Sequence, residues 1–198
     1  MIIEVDDREV KAFLKKLGSL TAQDKALYRT LGKTNKTTKT QAAKSVGKSL
    51  ALKAGRIKKD MKTLGPHKGD LTARLRTKSR PVGYLQFGAK QKKGGVSVKV
   101  LRKGGRRFIP HAFIAKMPNN EQIVAIRKTP QRFTEPNRPE INYAQLPKAY
   151  RYPIKTLYGP RIADWLARAE VMDPLQRDVG QILIDNLDRE VMAILRGY

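Results

Sequence analysis

Residues 21–110 hold 25 lysines and arginines against three acidic residues, Asp24, Asp60 and Asp70, a net charge of +22. Charged side chains are almost never buried unless paired, and here there are too few carboxylates to pair them. Whatever this segment folds into must turn most of its polar surface outward and build its core from small and aliphatic residues. Self-repulsion on this scale also opposes compaction unless the surface meets a polyanion, an acidic protein face or abundant counter-ions. The flanks differ. Residues 1–20 balance four basic against four acidic groups, and residues 111–198 carry 13 against 10, so the middle accounts for nearly all of the chain's +25.

At 198 residues the chain is long enough for a domain whose core needs no covalent staples. Hydrophobic residues at 40% argue against disorder of the whole chain. With no cysteine, disulfides, thiolate metal sites and cysteine nucleophiles are excluded. The opening Met1-Ile2-Ile3-Glu4-Val5-Asp6-Asp7 turns acidic too soon to read as a signal peptide. No run approaches the roughly 20 apolar residues of a membrane-spanning helix. A soluble protein of the cytoplasm, with no membrane partner, is the expectation.

Ile2, Ile3 and Val5 suit a short strand, after which Asp6 or Asp7 caps a helix with Val10, Phe13, Leu14 and Leu17 on one face and Gly18 as its stop. A long helix is expected from Thr21 to about Ala54. Its apolar face is made of small residues, Ala26, Thr38, Ala42 and Val46, which permit another helix to approach closely. Lys25, Arg29, Lys33, Lys36, Lys44 and Lys48 fill much of the remainder. Gly32 and the threonine cluster predict a kink or a mobile stretch near residues 32–40. Arg56, Lys58, Lys59 and Lys62 are expected on a short helix ending at Gly65-Pro66.

Alternation then replaces the helical period. Residues 71–78 alternate in places, and 96–101 strictly enough for a strand. Gly104-Gly105 reads as a tight turn returning into Arg106-Arg107-Phe108-Ile109, a hairpin with basic outward positions. Residues 121–127 make a further strand after the Pro118-Asn119-Asn120 turn. Pro130, Pro136, Pro139 and Pro147 make residues 129–150 a long loop or extended arm. Pro160 suits the first position of a helix with Ile162, Trp165, Leu166 and Ala169 on its apolar face. Asp173-Pro174 opens the clearest helix, with Leu175, Val179, Leu183, Leu187 and Val191 in one stripe and Asp178, Asp185, Asp188 and Glu190 on its polar side. The sum is an α+β fold: a small antiparallel sheet packed with a long basic N-terminal helix and C-terminal amphipathic helices. One compact domain is expected, made of a basic helical region 1–65, a β-rich core 66–170 carrying the arm 129–150, and an amphipathic helix 171–198.

Catalytic signals are sparse. His67 and His111 are the only histidines and share no metal-ligand spacing; a lone histidine in such settings is usually structural. No phosphate-loop pattern exists, and helix periodicity accounts for the clustered carboxylates. Neither catalysis nor a cofactor or metal is expected. The recognised nucleic-acid modules are missing too, and aromatics for base stacking are few between residues 21 and 110 (Tyr28, Tyr84, Phe87, Phe108). Non-specific contact with a phosphate backbone fits this composition; base reading does not.

Three segments belong together. The first is Gly94-Gly95-Val96-Ser97-Val98-Lys99-Val100, followed by Arg106-Arg107-Phe108-Ile109-Pro110-His111-Ala112-Phe113-Ile114-Ala115-Lys116-Met117. The second is Ile123-Val124-Ala125-Ile126-Arg127-Lys128. The third is Tyr152-Pro153-Ile154-Lys155-Thr156-Leu157-Tyr158-Gly159-Pro160. This order resembles the minor tail protein Z family of tailed phages and prophages, and more loosely the wider group of phage neck and tail-completion proteins. The likeness covers roughly residues 20–170. Its most specific phrases surround Phe113 and Tyr158, with Pro110, Ala112, Ile114, Pro153, Ile154, Gly159 and Pro160 as structural members. His111 stands where the family often carries glycine, and the segment 129–150 is longer than the usual link before the "PIK" phrase.

The resemblance implies a virion component at the head-proximal end of the tail, assembled in the bacterial host cytoplasm. It would help to complete the tail and join it to the head, as a ring of six copies around the DNA passage. The implied partners are further copies of itself, the tail terminator, tail tube and connector proteins, and the genomic DNA in the channel. Lys53, Arg56, Lys58, Lys59 and Lys62, with Arg102, Lys103, Arg106 and Arg107, are expected to face DNA or an acidic neighbouring ring. The alternatives are a non-specific DNA-binding or packaging protein and an RNA-associated basic protein.

Overall fold

The computed structural model describes residues 10–197 apart from 11, 13, 16, 68–69 and 128–153. The fold is α+β, as the sequence patterns lead one to expect. Contacts divide the chain into two compact units that cut across the three consecutive segments expected. One unit gathers residues up to Ser49, Lys53–Arg80 and everything from Arg161 on; the other holds Leu50–Leu52 and Pro81–Pro160. The reason is that two long helices, one from each half of the chain, pack their apolar faces on each other with a two-stranded ribbon, while the remaining strands build a separate core.

In the first unit, helix α1 spans Leu20–Ser49, about 45 Å of helix. The Ser19 hydroxyl accepts the Ala22 N–H at 3.2 Å and starts it, just ahead of the expected start at Thr21. Its buried face is a row at every fourth position: Ala26, Thr30, Thr34, Thr38, Ala42 and Val46. The partner helix α4 (Ala169–Leu195) answers with Val171, Leu175, Val179, Leu187 and Val191, on the same four-residue spacing with half-buried Leu183 in the gap. Side chains four apart form a continuous ridge, and the small residues of α1 let the larger ridge of α4 seat against it. At one end Leu17, Ala26, Leu187 and Val191 form a cluster joined by Val10, Leu14, Leu27 and Ile194.

The helix continues through residues 32–40, where a kink was expected. Thr37, Thr38 and Thr40 fold their hydroxyls back onto the carbonyls of Lys33, Thr34 and Lys36 at 3.2, 2.8 and 3.4 Å, so they satisfy themselves inside the helix. Asn186 donates to the Thr34 hydroxyl at 3.0 Å, a polar link between α1 and α4.

Two starts differ from expectation. Pro160 lies in a strand, and helix α3 begins two residues later, at Ile162–Leu166. Helix α4 begins at Ala169, so Pro174 is its sixth residue rather than its opening one. The Arg168 carbonyl already accepts the N–H groups of Val171 and Met172 at 2.9 and 2.8 Å, completing a first turn before the proline. The Arg168 guanidinium stacks 3.7 Å from the centre of the Trp165 ring, holding the α3–α4 corner.

Between α1 and α4 in sequence, the first unit contains the short helix α2 (Ala54–Lys59) and a two-stranded ribbon. Strand β1 (Met61–Leu64) pairs antiparallel with β2 (Arg74–Thr77), in the register Met61↔Thr77, Lys62↔Arg76, Thr63↔Leu75 and Leu64↔Arg74. Lys62 is therefore a strand residue, not a helical one. Asn35 of α1 reaches the end of the ribbon, donating to the carbonyls of Leu64 (2.8 Å) and Arg74 (3.4 Å).

The second unit begins with β3 (Pro81–Gly83) and a 3-10 turn at Tyr84–Phe87. Strands β4 (Lys90–Lys92), β5 (Gly95–Val98) and β6 (Arg107–Pro110) form one sheet. Strands β7 (Ala112–Lys116), β8 (Gln122–Arg127) and β9 (Ile154–Thr156) form another, while β10 (Tyr158–Arg161) pairs with β3. The expected hairpin is present, but Gly104-Gly105 sits in an eight-residue connection, 99–106, rather than a tight turn. Central β5 is buried throughout, and at Gly95 a Cβ would stand 2.3 Å from the Ile109 carbonyl oxygen, so only glycine fits. Val96, Ala112 and Val124 make the core, with Tyr84, Leu85, Ile109, Ile114 and Leu157 around them. The first strand expected (Ile2, Ile3, Val5), Phe13 and the arm 129–150 lie outside the described residues. The strands the arm joins are neighbours, with Arg127 opposite Ile154.

Candidate assembly interface

The nine basic residues singled out from the sequence fall in both units. In the first unit Lys53 precedes α2, Arg56, Lys58 and Lys59 lie on it, and Lys62 follows on β1. They do not share one role. Arg56 is drawn onto Asp60, a buried carboxylate 2.8 Å from its Nη1, and so helps to close α2 rather than to meet a partner. Lys53, Lys59 and Lys62 are exposed and Lys58 is half-exposed.

In the second unit Arg102 and Lys103 are exposed in the β5–β6 connection and Arg107 is exposed at the start of β6. Arg106 is exposed as well, as expected of an outward position, but its guanidinium is engaged within the unit. Its guanidinium donates to the Ser97 hydroxyl at 3.0 Å, the Ser97 carbonyl at 2.7 Å and the Gly88 carbonyl at 2.5 Å. Ser97 is buried on β5 and leaves its carbonyl in need of a donor; arginine, with five N–H groups in a rigid fork, meets several such acceptors at once.

The residues missed by sequence reasoning are Arg74 and Arg76. Both are exposed on β2, and the register sets Arg76 directly opposite Lys62. The signal was the alternation Arg74-Leu75-Arg76-Thr77, which places the arginines on one face. Asp70 stands 3.6 Å from Arg74 and is held below the usual carboxylate range, first by the Thr72 hydroxyl, against desolvation, and then by Arg74 and His67. Beside the ribbon is an open cleft of about 740 Å³ whose lining includes Thr34, Asn35, Leu64, Leu75 and the arginines Arg74 and Arg76 themselves. The Thr34 hydroxyl and the Asn35 amide that reach it are already hydrogen-bonded within the protein. Among the described residues no cluster of His, Asp or Glu could hold a metal ion, and no helix is long and apolar enough to cross a membrane.

The motif residues of the second unit converge. Pro110 ends β6, opposite Gly95. His111 takes a left-handed φ of 59° and donates its N–H to the Gly94 carbonyl at 2.9 Å, turning the chain into β7. Ala112 is buried, Phe113 and Ile114 are half-buried, and the Ile114 N–H is accepted by the Gln91 side chain at 2.9 Å. The Arg127 guanidinium lies 5.9 Å from the Phe113 ring centre. Strand β8 pairs with β7 on one side and β9 on the other, so that Phe113, Ala125 and Thr156 lie in one row, as do Ala112, Ile126 and Lys155. Ile154 opens β9, and Pro153 lies outside the described residues. Gly159 packs on the buried Phe87 ring, where a Cβ would come within 2.6 Å. Tyr158, expected to pack, is 53% exposed, because its neighbour Gly159 is the residue turned inward.

The conformation of His111 makes a prediction. A β-branched side chain is poorly tolerated at positive φ, so His111→Val costs about 1–2 kcal/mol in chemical denaturation, whereas His111→Gly costs nothing or stabilises slightly. Equal losses from both would show that the imidazole, not the backbone, holds this turn.

What the fold and the two surfaces define is a class: a strongly basic α+β chain of two compact units, one built on a helix pair and one on small sheets. No protein-family model, no curated protein and no solved structure matches the chain.

Proposed function

We propose that the chain is a structural virion protein of a tailed phage or prophage, a minor tail or tail-completion protein at the head-proximal end of the tail. It takes part in neck assembly and head–tail joining around the DNA channel, as a ring of six copies beside the tail terminator, tail tube and connector proteins. The observation that carries this reading is the convergence of the two motif phrases. Residues 110–117 and 154–160, far apart in sequence, flank the same strand β8, which is what a shared structural motif would require. The exposed cations, Lys53, Lys59 and Lys62 in one unit and Arg102, Lys103 and Arg107 in the other, support assembly through either unit, since complementary charge sets register and partner more than affinity.

The test is co-expression with the neighbouring tail genes, followed by mass measurement and imaging of purified particles. Incorporation in a fixed, ring-like copy number is expected, and tails made without this chain should not join heads. A lasting monomer that enters no tail or neck particle overturns the proposal. If that monomer binds duplex DNA tightly, the packaging-protein alternative takes its place.

A further inference from the structure

The β1–β2 ribbon places Lys62 directly across from Arg76, with Arg74 two residues along the same strand face. Like charges directly opposite each other on a sheet are destabilising. Arg74 has Asp70 at 3.6 Å, but among the described residues no carboxylate pairs with Lys62 or Arg76. Among the described residues, the ribbon face that carries Lys62 and Arg76 is therefore a cation set without a neutralising carboxylate on either of them.

We infer that this face docks on the phosphate backbone of duplex DNA, independently of sequence. A two-stranded ribbon is an element that the major groove of B-form DNA admits. Side chains at i and i+2 on a strand stand about 6.7 Å apart, twice the ~3.4 Å rise per phosphate along one DNA strand. Arg74 and Arg76 are such a pair. The face carries no aromatic side chain on which an unpaired base could stack, which disfavours single strands. Nor does it carry the aromatic or methionine anchors of a protein–protein interface. Lys59 and Lys78, exposed at either side of the ribbon in sequence, extend the positive surface. The inference deepens the proposed function by naming DNA as what this part of the basic surface meets, and it rests on that reading only for the source of the DNA.

The experiment is a salt titration of fluorescence anisotropy with the purified full chain, a mixed-sequence 24-base-pair DNA duplex, the corresponding single strand and polyglutamate of equal charge. Lys62→Thr/Arg76→Thr should reduce the slope of log K against log salt by about 2 and weaken duplex binding on the order of tenfold or more at 0.1 M salt. Lys44→Gln/Lys48→Gln removes the same charge from α1 and should leave most of the affinity. Lys62→Glu gives Arg76 a partner, and should raise the melting temperature by about 2 °C at low salt while weakening the duplex complex. Equal losses from the two double variants, or polyglutamate bound as tightly as the duplex, would overturn the inference. A chain that joins particles yet fails this titration sinks the inference alone; one that passes it yet joins no particle sinks the virion reading alone.

Discussion

An Arg29→Ala/Lys33→Ala variant is expected to lose about 3–5 kcal/mol of stability, followed by far-UV circular dichroism in denaturant, although both changes replace exposed residues by the best helix former. The reason is Glu190. Helix periodicity puts it on the polar side of α4, among Asp178, Asp185 and Asp188, yet its side chain is only 5% exposed. It is ion-paired with Lys33 and lies 3.8 Å from Arg29, both on α1 and 63% and 41% exposed. The cations keep much of their hydration while the carboxylate has given up nearly all of its own. Removing them strands a buried charge, which is costly. Removing the carboxylate does not, because the two cations return to water: Glu190→Leu should cost less than about 1 kcal/mol. If the double variant costs no more than Glu190→Leu, the carboxylate is solvated and the pairing is incidental.

The second large effect lies in the other unit. Phe87→Ala should cost about 3–5 kcal/mol, since its ring is buried at 2% exposure and packs on Gly159. Gly159→Ala should cost about 1–3 kcal/mol, because the added methyl must displace that ring. The two changes compete for one space, so the double variant should lose clearly less than their sum, with a coupling of at least about 1 kcal/mol. Additivity within about 0.5 kcal/mol would mean that the ring moves aside freely in the single variants.

Much of the fold was legible because it depends on neighbours in sequence. The small-residue face of α1, the amphipathic stripe of α4, the β5–β6 hairpin and strand β8 all follow from periods of 3.6 or 2. The misread ends were set from outside the element. Pro160 was held in a strand by the β3 pairing and by Phe87 against Gly159. Helix α1 runs unbroken through its threonine cluster, whose hydroxyls bond back along their own helix, a choice that propensity does not record.

The basic surface was legible in amount and not in assignment. Arg106 and Arg107 are adjacent and both exposed, yet the Arg106 guanidinium is hydrogen-bonded to Ser97 and Gly88. Arg56 and Lys59 share a short helix, but only Arg56 stands beside a buried carboxylate. The alternation of residues 74–77 is a signal that Arg76 points outward, but nothing local says that it faces Lys62.

By itself, then, the sequence determined that residues 21–110 present an excess of cations, that no cysteine chemistry operates, and which stretches coil or extend. Those properties are sums over residues, or follow from periods within a few turns. The tertiary structure decided which charges are paired, which are buried and which oppose each other. Register and burial depend on contacts between residues well separated in sequence, Lys62 with Arg76 and, far more distant, Lys33 with Glu190 among them. Of the +22 carried by residues 21–110, only some is surface left for a partner, and the ribbon sets two of its cations, Lys62 and Arg76, directly opposite each other.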